Sequence, residues 1–169
     1  MTRRQLTLFV PDGAAPLLEP VRRVADPVQW GLIAAHVTLC REDEIATLEF
    51  ASLRHRLAHA APITLTFGAP RRFAGHGMLL PCVEGVIAFQ QLRARALDAT
   101  MVREHDAHLT LAHPRNPRAA ENVDATFAAL PPRCTITFDA VAVIEQRGTA
   151  PWVVLETIAL TGAGHGVGA

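Results

Sequence analysis

A four-residue pattern that occurs twice, 72 residues apart, constrains this chain more than any other feature: His36-Val37-Thr38-Leu39 and His108-Leu109-Thr110-Leu111. In an extended strand successive side chains point to opposite faces, so each His shares a face with the Thr two residues on and the apolar residues share the other. Each copy buries its apolar face and presents an imidazole with a hydroxyl on the opposite one. Two such strands brought together put two imidazoles and two hydroxyls around one cavity, a set suited to acid/base work on a phosphate. With 8 His in the chain, 14 Thr, and half the flanking positions apolar, the pattern arises by chance only about 0.17 times.

The self-similarity reaches beyond the motif. A shift of 72 also lays Asp12-Gly13 on Glu84-Gly85, and a shift of 71 lays Thr64-Leu65-Thr66-Phe67 on Thr135-Ile136-Thr137-Phe138. A nearly constant offset at separate landmarks predicts two structurally equivalent halves, about 5–75 and 78–160, within one bilobal domain spanning 1–161. Its length suits one well-buried unit. The Gly- and Ala-rich tail, 162–169, is expected to be flexible.

The element pattern predicts an α+β fold of two mainly antiparallel sheets with helices outside and a central cleft. Leu6 to Val10 reads as a strand. Ala14 to Val24 has helical spacing, shortened or broken by Pro16 and Pro20. The first motif strand runs from Ile33 to Cys40, and the acids of Arg41-Glu42-Asp43-Glu44 open a helix reaching about His59. Strand Ile63–Phe67 and a loop from Gly68 to Gly77 follow. The order then recurs: strand Leu79–Val83, helix Val86–Thr100 and motif strand Ala107–Ala112. A further helix is capped by Asn116, starts at Pro117 and carries Ala120, Val123, Phe127 and Leu130 on one side. Two strands, Cys134–Glu145 and Trp152–Leu160, close the chain.

The residues and motifs above resemble the 2H phosphoesterase superfamily, named for two His-x-Thr/Ser motifs, and especially the bacterial RNA 2',3'-cyclic phosphodiesterases also called 2'-5' RNA ligases. The resemblance covers about residues 5–160. It implies a bilobal pseudo-symmetric fold with both motifs lining a central cleft, His36 and His108 as the acid/base pair, Thr38 and Thr110 as phosphate-holding hydroxyls, and no metal or cofactor. Bacterial ligase-type members often carry Arg just past the second motif. This chain has His113 there and Arg41 at the equivalent place after the first, so both are candidate substrate-binding residues.

The chemistry fits the residue types. Opening a 2',3'-cyclic phosphodiester needs a base for the attacking water and an acid for the departing ribose oxygen, and histidine titrates near neutrality. Hydroxyls donate to the non-bridging phosphate oxygens, where charge rests in the transition state. The expected function is metal-independent hydrolysis of 2',3'-cyclic phosphate ends of RNA or of a small cyclic nucleotide. Reversible 2'-5' RNA ligation is the rival activity, a nucleotide- or RNA-binding module without turnover the rival class, and a metal-dependent hydrolase the weakest alternative.

Other features rank lower. Arg72 and Phe73, beside Gly75-His76-Gly77, form a candidate substrate-facing loop, with a plain solvated connection as the alternative. His55 and His59 share a helix face and read as solvated, for want of a third metal ligand. His105 reads as loop surface, and Trp30 and Trp152 as core or cleft wall. Sixteen arginines, with no lysine, balance sixteen acids, which excludes coating of nucleic acid by bulk charge, leaves room for a basic groove and leads us to expect no DNA partner. Cys40, Cys82 and Cys134 read as reduced. No apolar run has the length of a membrane span, and Met1 to Gln5 lead into a strand, so we expect a cytoplasmic monomer without membrane attachment.

Overall fold

A computed structural model describes residues 1–162. The strands are β1 (Thr2–Phe9), β2 (His36–Cys40), β3 (Ile63–Phe67), β4 (Arg71–Phe73), β5 (Gly77–Glu84), β6 (His108–Ala112), β7 (Cys134–Phe138), β8 (Ala140–Arg147) and β9 (Val153–Ala159). The helices are α1 (Ala15–Ala25), α2 (Pro27–Leu32), α3 (Glu42–Ile45), α4 (Phe50–Leu57), α5 (Val86–Leu97) and α6 (Asp124–Phe127).

The two motif strands show the predicted split of faces. Val37, Leu39, Leu109 and Leu111 are buried in the core, while His36, Thr38, His108 and Thr110 are half-buried on the other side. Their apolar faces seal against Leu6, Leu8, Phe67, Phe89 and Phe138 in one continuous core.

All pairing is antiparallel. The first sheet has the order β2-β1-β8-β9. In the second, β5 carries β6 along one edge and β4 followed by β3 along the other, with β7 beyond β3. Each motif strand is thus the outermost partner of β1 or β5, and the two approach one another across the interface between the sheets.

This arrangement is α+β with a central cleft, but it divides the chain differently from the predicted halves 5–75 and 78–160. Strand β3 lies in the second sheet, and β8 and β9 lie in the first. The matched sequences Thr64–Phe67 and Thr135–Phe138 are direct neighbours rather than symmetry equivalents. Their likeness has a local cause: the Thr64 and Thr137 hydroxyls are hydrogen-bonded at 2.8 Å, and those of Thr66 and Thr135 at 3.0 Å. What the repeat does duplicate is the unit β1-α1-β2, recurring as β5-α5-β6 at offsets of 71 to 75.

Several predicted elements change. Helix α1 is unbroken: Pro16 sits in its first turn, where backbone N–H groups lack partners anyway, and Pro20 removes a single bond. The long helix expected from Arg41 to His59 is two pieces, α3 against β1 and α4 against α5, both tied to α5 by side-chain bonds. Glu44 in α3 pairs with buried Arg93, and Arg56 in α4 donates to the Arg95 and Ala96 carbonyls. The helix expected after Asn116 shrinks to α6, because Asn116 donates to the Asp26 carboxylate instead of capping, and buried Asn122 joins Arg72 and the His76 carbonyl. The predicted strand Cys134–Glu145 splits at Asp139 between the two sheets, and the loop 68–77 contains β4.

Gly85 turns β5 into α5 at φ 88°, a left-handed conformation, and a Cβ there would collide with the Thr64 carbonyl and lie 2.8 Å from Leu65. Of the expected flexible tail, Gly162 donates its N–H to the Ala60 carbonyl at 2.9 Å; the remainder lies outside the described residues. Among the described residues, no helix is long and apolar enough to cross a membrane.

Candidate active site

The motif strands run along the cleft, with His36, Thr38, His108 and Thr110 on its lining. Each is preceded by a helix with a buried arginine that fixes the segment leading into it. On α1, Arg22 pairs with Glu19 and donates to the Ile33 carbonyl at 2.8 Å, while Glu19 accepts the Ala35 N–H at 2.6 Å. On α5, at an offset of 71, Arg93 bonds Gln90 at 3.2 Å and the Arg103 carbonyl at 2.7 Å, while Gln90 donates to the His105 carbonyl at 2.9 Å. Arg93 also donates to the Leu39 carbonyl at 2.8 Å and pairs with Glu44. These buried ion pairs hold the approaches to both histidines, and each charge has a partner, as burial demands.

With the approaches fixed, the imidazoles adopt matching poses. His36 Nδ1 lies 2.8 Å from the Ala34 carbonyl oxygen and His108 Nδ1 lies 2.8 Å from that of Asp106. A carbonyl oxygen only accepts, so Nδ1 carries the proton in both rings and each Nε2 has no hydrogen-bond partner among the described residues. His36, Thr38, His108 and Thr110 line a single cleft of about 570 Å³.

Two further histidines share that cleft in other tautomers. His105 is buried, and its Nε2 donates to the Thr38 carbonyl at 3.1 Å, with its ring centroid 6.1 Å from that of His108. The reading of His105 as loop surface is therefore overturned. Its side chain spans the gap between the two motifs, and its register, three residues before His108, held no strand periodicity to reveal that. His113 Nδ1 accepts the Arg115 N–H at 3.2 Å, which leaves Nε2 as the proton-bearing atom.

Burial and nearby cations push these rings toward the neutral form. Desolvation lowers His36 to about 4, helped by Arg22 and His108 and opposed by the bond to Ala34. Desolvation, Arg41, Arg93 and His108 lower His105 to about 4. His113 is lowered by burial, Arg115, Arg3 and His108 against the pull of Asp26.

Arg41 lines the cleft, and its guanidinium makes no hydrogen bond or ion pair among the described residues; Arg115, which sequence reading passed over, does the same from the other side. Arg72 and Phe73 do not line it. Arg72 is held by Asp124 at 2.6 Å and Asn122 at 2.6 Å, and Phe73 lies over Gly77, which ties this segment to α6 and to its own turn, apart from the motif histidines. Trp152 stands on the cleft wall, whereas Trp30 is exposed on α2. Arg3, Gln5, Gln29 and Gln146 also line the cleft and went unread, because each reaches it only through tertiary pairing.

His55 and His59 meet edge to face, 6.3 Å between centroids. Among the described residues no group of three or more His, Cys, Asp or Glu side chains is placed to hold a metal ion. Cys40 and Cys134 are buried thiols, Cys82 is half-buried, and burial raises all three, Cys40 to about 12.

The comparisons with known proteins converge on this architecture. A model of the 2'-5' RNA ligase superfamily matches residues 10–150. Among solved structures, E. coli LigT complexed with 3'-AMP is 18% identical with a TM-score of 0.56, and LigT complexed with ATP is 17% identical with a TM-score of 0.59. LigT complexed with phosphate is 16% identical with a TM-score of 0.57. Each alignment covers 95% of this chain and 98% of LigT. At such identity the likeness is one of fold. No curated protein matches the chain in sequence.

Proposed function

This chain belongs to the 2'-5' RNA ligase superfamily, and from that premise we propose that it is a phosphodiesterase opening 2',3'-cyclic phosphate ends of RNA or a small cyclic nucleotide. The observation that supports this reading most directly is the shared pose of the two motif imidazoles in one cleft, both Nδ1 atoms bound to backbone and both Nε2 atoms without a hydrogen-bond partner among the described residues.

In the proposed reaction one Nε2 takes a proton from water as its oxygen bonds to phosphorus. The bond from phosphorus to one ribose oxygen breaks, and the other histidine protonates that oxygen, leaving a phosphomonoester. Desolvation favours the neutral form of His36, which makes it a proton acceptor. A bound phosphate supplies a counter-charge that favours its protonated form. Thr38 and Thr110 donate to the non-bridging oxygens, and Arg41 and His113 stand at equivalent places past the two motifs to hold the anion. Because the side chains themselves supply acid, base and hydrogen-bond donors, the scheme assigns no step to a metal.

The test is incubation with 2',3'-cyclic nucleotides and an oligoribonucleotide bearing a cyclic phosphate end, with EDTA present. Turnover is expected. Loss of turnover on chelation would refute the metal-independent scheme, binding without turnover would favour the binding module, and joining of 5'-hydroxyl and cyclic-phosphate ends would favour ligation.

A further inference from the structure

The cleft is symmetric at the motifs and unequal beyond them. On β5 the register partners of Thr110 and His108 are Leu79 and Pro81, and neither lines the cleft. On β1 the partners of Thr38 and His36 are Thr7 and Phe9. Alternation along β1 places Gln5 and Arg3 on the same face as these, and both line the cleft. Of the two central strands, β1 alone therefore extends the cleft with polar side chains, through Gln5 and Arg3, while past the second motif the lining is made by His113, Arg115 and Asn116.

That polar track ends in a built corner. Arg3 is the register partner of Gln146 on β8 and donates to its side-chain oxygen. Gln146 is buried, 3% exposed, and its amide also donates to the Ala150 carbonyl at 2.8 Å, tying the corner to the hairpin between β8 and β9. The Arg3 guanidinium lies over the Trp152 ring, 5.4 Å from its centroid, and has no carboxylate partner among the described residues. The Trp152 backbone is fixed by its main-chain N–H, which donates to the Leu32 carbonyl at 2.9 Å. Arg3 lies four residue steps before Thr7 on β1, about 13 Å along the strand. That is too far for the backbone of Arg3 to sit at the reacting phosphate and within reach of the rest of a nucleotide.

We propose that Arg3, stacked on Trp152 and held by Gln146, forms the subsite for the substrate's nucleobase, so that the enzyme favours nucleoside cyclic phosphates and RNA ends over base-free cyclic phosphodiesters, which it turns over without help from this corner. A stacked guanidinium and indole offer π-surfaces that any base can cover, and the neighbouring glutamine amides can meet a base edge. The proposal rests on the phosphodiesterase reading above for its phosphate end.

Two measurements test it. Trp152→Leu is expected to raise KM for adenosine 2',3'-cyclic phosphate about 10-fold or more with kcat within about threefold. The same variant should leave kcat/KM for methyl riboside 2,3-cyclic phosphate unchanged. Equal losses on both substrates, or none on either, would overturn the subsite. The second measurement needs no cleft variant: Trp30→Phe leaves Trp152 as the only indole, and adenosine 3'-monophosphate should quench its fluorescence where inorganic phosphate at the same concentration does not. Equal responses to the two would also overturn the proposal. If the natural chain turns over neither cyclic phosphate, the phosphodiesterase reading falls, and the quenching result still decides whether a base binds here.

Discussion

His36 and His108 are anchored by the same bond, an Nδ1–H donated to the carbonyl oxygen two residues upstream, 2.8 Å long in both. The bond lies within each strand's own lead-in, so neither ring depends on the other sheet for its tautomer. The cleft joins two independently prepared groups, which is the preorganisation that acid/base catalysis uses.

Replacing either histidine should be severe without unfolding the protein. His36→Ala and His108→Ala are each expected to lower kcat on a 2',3'-cyclic nucleotide by about 10²–10⁴-fold. The double variant should be little worse than the single ones, because the pair acts as a unit. Steady-state kinetics beside a melting curve checks this; activity within a few-fold of wild type in either single variant would remove that histidine from the mechanism.

Acid should destabilise the fold through His105. Its folded pKa of about 4 lies below the ordinary 6.5, so the unfolded chain binds more protons between those values. The stability is fully present above about pH 6.5 and lost as pH falls through about 4. His105 alone should remove about 1 kcal/mol between pH 6 and pH 5. Urea titrations of wild type and His105→Gln at the two pH values should show a shallower decline in the variant.

Arg93 should matter far more than the exposed arginines. Arg93→Ala strands Glu44 and leaves the Leu39 and Arg103 carbonyls without their donor, at an expected cost of about 3–5 kcal/mol. Arg103→Ala removes an exposed pair with Asp43 and should cost less than about 1 kcal/mol. Denaturant midpoints of the two variants, compared at equal slope, give the contrast.

Glycine at 85 should be irreplaceable where glycine at 13 is not. Gly85→Ala combines a positive φ with a collision against the Thr64 carbonyl and is expected to cost at least about 2 kcal/mol. The Cβ site of Gly13 meets nothing within 4 Å, and Gly13→Ala should fall within about 0.5 kcal/mol of wild type. Thermal unfolding of both variants decides it.

Legibility followed the range of the interactions. The faces of β2 and β6 were readable from alternation alone, because burial of Val37, Leu39, Leu109 and Leu111 imposes it. The strand 63–67 and the start of α5 at Val86 were likewise marked by local chemistry. The helix expected at 117–130 failed because Asn116 and Asn122 serve partners 90 and 46 residues away, and no local pattern records such bonds. In the cleft, the motif residues announced themselves by repetition. His105, Arg3 and Arg115 did not, since their place depends on strand order and on turns after the motifs. The pairs Glu19/Arg22 and Gln90/Arg93 were a missed signal, being spaced alike and 71 residues apart in the sequence itself.

The exchange of strands between the sheets also sets a timetable for synthesis. β1 emerges from the ribosome first, yet its partner β8 follows more than a hundred residues later, with Arg3 meeting Gln146 across 143 positions. A nascent chain holding only the first motif has no β8 to cover that edge of β1, and β3 has no sheet to join. Neither motif-bearing half is therefore a self-sufficient fragment, and cutting the gene between them yields two pieces that each lack strands the other encodes. The early edge must stay solvated until the last hairpin arrives, which makes this a slow, late-closing fold compared with one built from sequential neighbours.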